Sequence, residues 1–155
     1  MDEPEKAFAS ALRTLARRDH SVAELELKLC TRGYPADVVA RVIARLSACG
    51  YLDDRRFAEQ WAESAVRNGR GYGPRLRLEL TRRGVAREIV ADVVAGIAAA
   101  YGEKETLERI VVRKFAGFSP QTASDRDKGR VFAYLQRRGF SSAAIFDFMR
   151  RHPED

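Results

Sequence analysis

Between Arg55 and Glu88 the chain carries nine arginines against four glutamates. That excess supplies most of the formal net charge of +6. A guanidinium is a rigid fork of donors that matches phosphate and carboxylate oxygens. The chemistry open to this stretch is therefore recognition of an anion. Arg67, Arg70, Arg75, Arg77 and Arg82 are the candidate contacts for a protein or DNA partner. Tyr72 joins them because it stands between Gly71 and Gly73. Backbone without a Cβ lets a partner come close there, and the ring is suited to stacking on a base or side chain. The plainer reading is a solvated arginine face, with glycines that serve only a turn.

Catalytic chemistry finds few candidates. Gly69, Gly71 and Gly73 lack the Gly-x-Gly-x-x-Gly spacing, and no Gly-Lys-Ser/Thr follows, so a nucleotide loop is excluded. The pair Asp53–Asp54 has the groups to hold a metal. It stands at a helix start, however, where carboxylates accept backbone N–H bonds and oppose the helix dipole, so capping is expected. His20 and His152 sit near neither cysteine in sequence. No nucleophile–base set occurs. The expectation is a binding protein with no catalytic residue, no cofactor and no metal.

A hydrophobic fraction of 45% excludes wholesale disorder. The pI near 9.7 makes a polyanion the first partner class. The start, MDEPEKAF, is acidic where a signal peptide is basic. The longest apolar run, Val93 to Tyr101, is broken by Gly96 and is far short of the roughly 18 residues of a membrane span. A cytoplasmic protein without a membrane partner is expected. Cys30 and Cys49 form no CxxC and no disulfide framework. Both fall in apolar helical patterns, so buried, reduced thiols are expected.

The elements that hold these residues follow from a repeat. LELKLCTRGYPADVVARVIARL, LRLELTRRGVAREIVADVVAGI and VFAYLQRRGFSSAAIFDFMRRH align without gaps on Gly33, Gly84 and Gly139. Each glycine follows an arginine (Arg32, Arg83, Arg138) and precedes an apolar residue (Tyr34, Val85, Phe140). Four residues earlier stands a leucine: Leu29, Leu80, Leu135. This is the pattern of a helix closed by a left-handed glycine, with the next residue folded back on the last turn. Gly50 repeats it between Leu46 and Tyr51. After each of the three glycines comes a second helix, with stripes such as Val38, Val39, Val42, Ile43 and Leu46. Before each pair comes another helix. Its inward residues are Phe8, Leu12 and Leu15, then Phe57, Trp61 and Ala65, then Leu107, Val111 and Phe115. These helices are expected near 4–18, 54–68 and 103–116, with a loop over Gly117–Asp127. Ser21 with Glu24 forms a capping box, and Pro74 suits a first helical turn.

The fold expectation is all-α: three tandem three-helix repeats at 1–50, 51–101 and 102–155, in an elongated array free to curve. Ser21–Leu46 has the outline of a helix-turn-helix. Its second helix carries Asp37, Arg41 and Arg45 but no Asn, Gln or Ser placed to face bases, which speaks for structure over base reading.

Tyr51-Leu52-Asp53-Asp54, Phe57-Ala58, Gly73-Pro74, Leu76, Glu79-Leu80 and Arg83-Gly84-Val85, at this spacing, resemble the RecX family of regulatory proteins. The resemblance extends over nearly the whole chain and is weakest in the third repeat. It implies tandem three-helix repeats and a cytoplasmic bacterial protein that binds RecA and the RecA–DNA filament. It implies inhibition of strand exchange, ATP hydrolysis and coprotease activity, within DNA repair by homologous recombination and the SOS response. It also implies no catalytic centre. The motif residues fall on caps and core, so the contact set above rests on charge and exposure. Two other readings stand beside it: a sequence-nonspecific binder of single- or double-stranded DNA, and a helical scaffold for another acidic protein. A monomer is expected.

Overall fold

The computed structural model describes residues 1–151; His152 lies outside them. Among the described residues there are nine helices and no strand. They are α1 (Glu3–Arg17), α2 (Val22–Thr31), α3 (Ala36–Ala48), α4 (Asp54–Arg67), α5 (Pro74–Arg82), α6 (Arg87–Ala100), α7 (Glu103–Lys114), α8 (Asp125–Arg137) and α9 (Ser142–Arg150). Three successive triplets result, as the repeat predicts.

Helix starts follow cap chemistry. Asp2 accepts from the Glu5 amide at 3.0 Å. Ser21 and Glu24 form the reciprocal capping box. Asp53 caps α4 through the Arg56 amide at 3.0 Å. Pro74 opens α5, where its missing N–H costs nothing. Two boundaries differ from expectation. α7 ends at Lys114 rather than near Ala116. α8 starts at Asp125 because Ser124 accepts from the Asp127 amide, which shortens the expected loop.

The ends of α2, α3, α5 and α8 follow one device. The amides of Tyr34, Tyr51, Val85 and Phe140 donate to the carbonyls of Leu29, Leu46, Leu80 and Leu135, at 2.9–3.3 Å. In each case the intervening glycine has positive φ. This is the six-to-one bond of the Schellman motif. Tyr51 closes its turn through backbone alone, for its side chain is 53% exposed.

The chain packs as two compact units. One comprises Met1–Trp61 with Glu79–Val93; the other comprises Ala62–Leu78 with the described residues from Val94 onward. In the first unit Leu25, Leu29, Val38, Val39, Val42, Ile43 and Leu46 join Ala7 and Ala11 of α1 in one core. The stripe of α1 is rotated from expectation. Ala7 and Ala11 are fully buried, whereas Phe8, Leu12 and Leu15 are partly buried around them. Small residues at the contact line allow the α1 and α3 backbones to approach, and the larger side chains flank it. The second unit buries Val66, Leu76, Leu107, Val131, Leu135 and Ile145 with under 2% exposure each.

Inside each unit the Arg-Gly turn of one repeat meets the inter-helix loop of the repeat before it. In the first unit Ser21 Oγ donates to the Arg83 carbonyl at 2.5 Å. The Val22 amide donates to Asp54 Oδ1 at 2.9 Å. A Cβ on Gly84 would collide with the Ala23 methyl. In the second unit Tyr72, at the position corresponding to Ser21, donates its amide to the Arg138 carbonyl at 2.8 Å. A Cβ on Gly139 would overlap the Tyr72 carbonyl oxygen. At Gly33, in the first of the three repeats, nothing lies within 4 Å of a Cβ placed there.

These junctions set the expected cost of two kinds of substitution. Gly33→Ala meets only the left-handed backbone and should cost on the order of 1 kcal/mol. Gly84→Ala and Gly139→Ala add a collision and should cost about 1–3 kcal/mol more. Thermal melts of the three variants check the order; equal costs would refute the junction. Asp54→Ala strands the Val22 amide and should cost about 1–3 kcal/mol. An unchanged denaturation midpoint would show that this bond does not hold the repeats together.

Candidate functional site

The candidate arginines differ in how far the fold has already engaged them. Arg67, Arg70, Arg75 and Arg77 lie in the second unit, and Arg82 lies in the first. At the end of α4, Arg67 Nη2 pairs with Glu63 at 2.8 Å while its Nε donates to the Tyr101 hydroxyl at 3.2 Å. That hydroxyl donates on to Glu63 at 3.0 Å, closing a three-membered set. The Tyr101 hydrogen bond, with the Glu63 charge behind it, raises the pKa of an already permanent cation. Arg70 donates to Ser64 Oγ at 2.9 Å. Arg75 is half-buried, its amide bonded to the Tyr72 carbonyl at 3.1 Å.

Arg77 and Arg82 are the least committed. Arg77 is exposed and makes no side-chain hydrogen bond or ion pair among the described residues. Arg82 is 63% exposed and stands 3.6 Å from Glu79. An exposed pair of that length contributes ~0–1 kcal/mol, so a partner's anion can replace it.

Tyr72 corrects the sequence reading. Its side chain is 6% exposed rather than presented for stacking on a partner. The ring lies parallel to Phe140, centroids 5.2 Å apart and 6° from coplanar. Its hydroxyl donates to the Tyr101 carbonyl at 2.7 Å. Burial, with Glu103 and Glu105 nearby, raises the hydroxyl pKa and keeps it a donor. A Cβ on Gly73 would lie 3.4 Å from the Gly139 carbonyl oxygen, while Gly71 faces Arg75 and Leu76 of the following helix. The close approach at this turn is made by Gly139 of the third repeat, against the Tyr72 carbonyl.

Three other arginines of the stretch are engaged internally. Arg83 pairs with Glu79 at 2.9 Å and lies 4.5 Å over the half-buried Trp61 ring. Arg55 pairs with Asp92 at 3.2 Å, and Arg56 donates to the Gly50 carbonyl at 3.1 Å. Asp53 caps its helix while Asp54 bonds Val22, so the acidic pair is divided between two backbone amides. Among the described residues no three His, Cys, Asp or Glu side chains group to hold a metal. Cys30 and Cys49 are free and exposed, a correction to the buried thiols expected. Cys30 sits in the last turn of α2 and Cys49 is the C-cap of α3, each past the residues that face the core. No helix among the described residues is long and apolar enough to cross a membrane.

A second concentration of cations, in the first repeat, is invisible to a running charge count. Arg13, Arg17, Arg18, Lys28 and Arg32 line one cleft, while Asp19, Glu24 and Glu26 interrupt them in sequence but do not line it. The signal that would have found them is the four-residue spacing of Arg13 with Arg17 and of Lys28 with Arg32, which places each pair on one helix face.

Models of the first, second and third three-helix domains of RecX match residues 7–46, 53–94 and 102–149. The regulatory protein RecX of Syntrophotalea carbinolica is 35% identical over 142 residues, covering 92% of this chain and 93% of its own. That of Trichlorobacter lovleyi is 38% identical over 144 residues, covering 93% and 94%. The Mycolicibacterium vanbaalenii protein is 39% identical over 149 residues, covering 92% and 80%. The crystal structure of RecX from Lactobacillus salivarius superposes with a TM-score of 0.73 at 19% identity, covering 96% of both chains. A second RecX crystal structure gives 0.79 at 17% identity, covering 97% of this chain and 74% of its own. With all three domains matched in order along nearly its whole length, the chain belongs to the RecX family of regulatory proteins.

Proposed function

We propose that this regulator acts by binding RecA and the RecA–DNA filament, as a cytoplasmic monomer, and that it inhibits the recombinase, ATPase and coprotease activities of the filament. The observation that carries the reading is the match of all three RecX domains in one chain. The family resemblance implies the partner; the chain's own chemistry suggests how it is held. A regulator of this kind works by differential affinity, favouring one state of its target over another. It needs anchors rather than a catalytic centre.

Arg77 and Arg82 are the proposed anchors, because neither gives up a strong internal partner on binding. Arg67, Arg70 and Arg75 of the second unit would also contribute, with Arg67 exchanging the Glu63 carboxylate for one on the target. Desolvated arginine–carboxylate pairs rank among the stronger contacts at protein interfaces. Tyr72 has no direct part in this proposal, since its ring and hydroxyl are engaged internally.

Two measurements test this reading. RecA ATPase on single-stranded DNA should fall when the protein is added at stoichiometric amounts; no effect would overturn the proposal. Arg77→Glu should raise the half-inhibitory concentration about tenfold, the equivalent of roughly 1.4 kcal/mol. It should leave the melting temperature unchanged, because this exposed side chain holds nothing in the fold. Equal inhibition by the variant would remove Arg77 from the contact surface.

A further inference from the structure

The cleft in the first repeat encloses about 530 Å³. Arg13 and Arg17 enter it from α1, Arg18 from the following loop, and Lys28 and Arg32 from α2 and its C-terminal cap. Arg13, Arg17 and Lys28 are exposed and make no side-chain hydrogen bond or ion pair among the described residues. Arg32 is held in place: its Nη1 donates to Ser10 Oγ and to Thr14 Oγ1, both at 2.8 Å. Those hydroxyls are buried and uncharged, so they orient the guanidinium without neutralising it. Less side-chain freedom then has to be given up when an anion arrives.

The second repeat arranges the same positions differently. Arg32 corresponds to Arg83, and Lys28 corresponds to Glu79. In the second repeat that glutamate neutralises the arginine at 2.9 Å. In the first repeat a lysine occupies the same position and adds a charge instead. The nearby carboxylate, Glu24, is already engaged by the Ser21 amide at 3.2 Å and by Arg18 at 3.0 Å.

His20 reports on the same cleft. It is 3% exposed, and its Nδ1 lies 2.9 Å from the Arg18 carbonyl. A carbonyl only accepts, so Nδ1 carries the proton and Nε2 is a bare acceptor in the neutral ring. Nε2 is buried without a hydrogen-bond partner. Burial first, and then the Arg18 and Lys28 charges, lower the His20 pKa against the opposing Arg18 carbonyl and Glu24. The ring is therefore neutral near pH 7, in a pocket already crowded with positive charge.

We propose that this cleft seats backbone phosphates of a nucleic-acid strand. With Arg18 paired to Glu24, the four other cations of the cleft still exceed what a single carboxylate can neutralise. Arg13 with Arg17, and Lys28 with Arg32, form two rows whose members stand one helical turn, about 6 Å, apart. A strand of duplex DNA carries one phosphate per ~3.4 Å of axis, so a run of a few nucleotides brings enough phosphates to meet the cations of both rows. The cleft lining has no Asn, Gln, Asp or Glu to read adenine or cytosine edges, and its cations suit phosphates, so binding depends little on sequence. The inference stands apart from the RecA reading, and its test contains no RecA.

Binding of a labelled single-stranded oligothymidylate is measured by fluorescence anisotropy across a salt series, for the full chain and for the double variant Arg17→Ala, Lys28→Ala. Neither of those side chains supports the fold, and matching thermal melts should confirm it. The variant should bind at least about tenfold more weakly. Its slope of log K against log salt should be shallower by about 1.4, at ~0.7 for each phosphate that is no longer neutralised. In parallel, the His20 imidazole resonance, assigned by its absence in His20→Gln, is titrated with pH. Oligonucleotide at saturation should move its midpoint to higher pH, because phosphates offset the charges of Arg13, Arg17, Arg18, Lys28 and Arg32 around it. Inorganic phosphate should move it the same way at higher concentration. Unchanged affinity and slope in the folded double variant would overturn the proposal, as would a His20 midpoint indifferent to bound oligonucleotide. A polyglutamate of equal charge that displaces the oligonucleotide and moves His20 more strongly would reassign the cleft to an acidic protein.

Discussion

The carbonyl of the arginine before each repeat glycine is the constraint on which the second and third repeats depend. A helix end leaves carbonyls without intrahelical donors. The Schellman turn satisfies those of the last helical residues, and the arginine carbonyl remains. In the second repeat it accepts from Ser21, and in the third from the Tyr72 amide. Both bonds need a close approach that only glycine permits. One residue type thus serves two ends. It adopts the left-handed turn, and it clears the surface on which the neighbouring repeat rests. Nearest-neighbour packing of this kind is how tandem repeats accumulate stability.

The arginine side chain at the same position shows how a repeat is adapted. Arg32 is oriented by two hydroxyls, Arg83 is neutralised by Glu79 and covers Trp61, and Arg138 lies 5.0 Å over Tyr134. What decides between these outcomes is the residue four positions earlier: Lys28, Glu79 or Tyr134. The same turn is a source of uncompensated charge in the first repeat and a closed internal contact in the second. Net charge along the chain is blind to this, because it counts a guanidinium over an indole and a solvated one alike. Of the nine arginines between Arg55 and Glu88, several belong to the architecture. The first repeat, with acids interleaved in its sequence, carries the denser cluster.

Sequence alone determined the helices, their order in three triplets, and most of their ends. The reason is that these are set within about four to six residues. The 3.6-residue period, the capping box of Ser21 and Glu24, Pro74 at a first turn, and glycine at positive φ all act locally. Tertiary structure decided which side chains are free. Tyr72 is buried by Phe140, far along the chain. Asp53 and Asp54 both read as caps of one helix start, but only Asp53 caps α4, while Asp54 accepts from the Val22 amide of the first repeat. Ala7 and Ala11, not Phe8 and Leu12, take the centre of the first core. Cys30 and Cys49 are exposed although the pattern around them is apolar. The Arg13–Arg32 cleft exists only because α1 and α2 converge. Periodicity gives the face of a helix to within a turn. Whether a residue on that face is covered depends on what a distant segment brings against it, and no local rule carries that information.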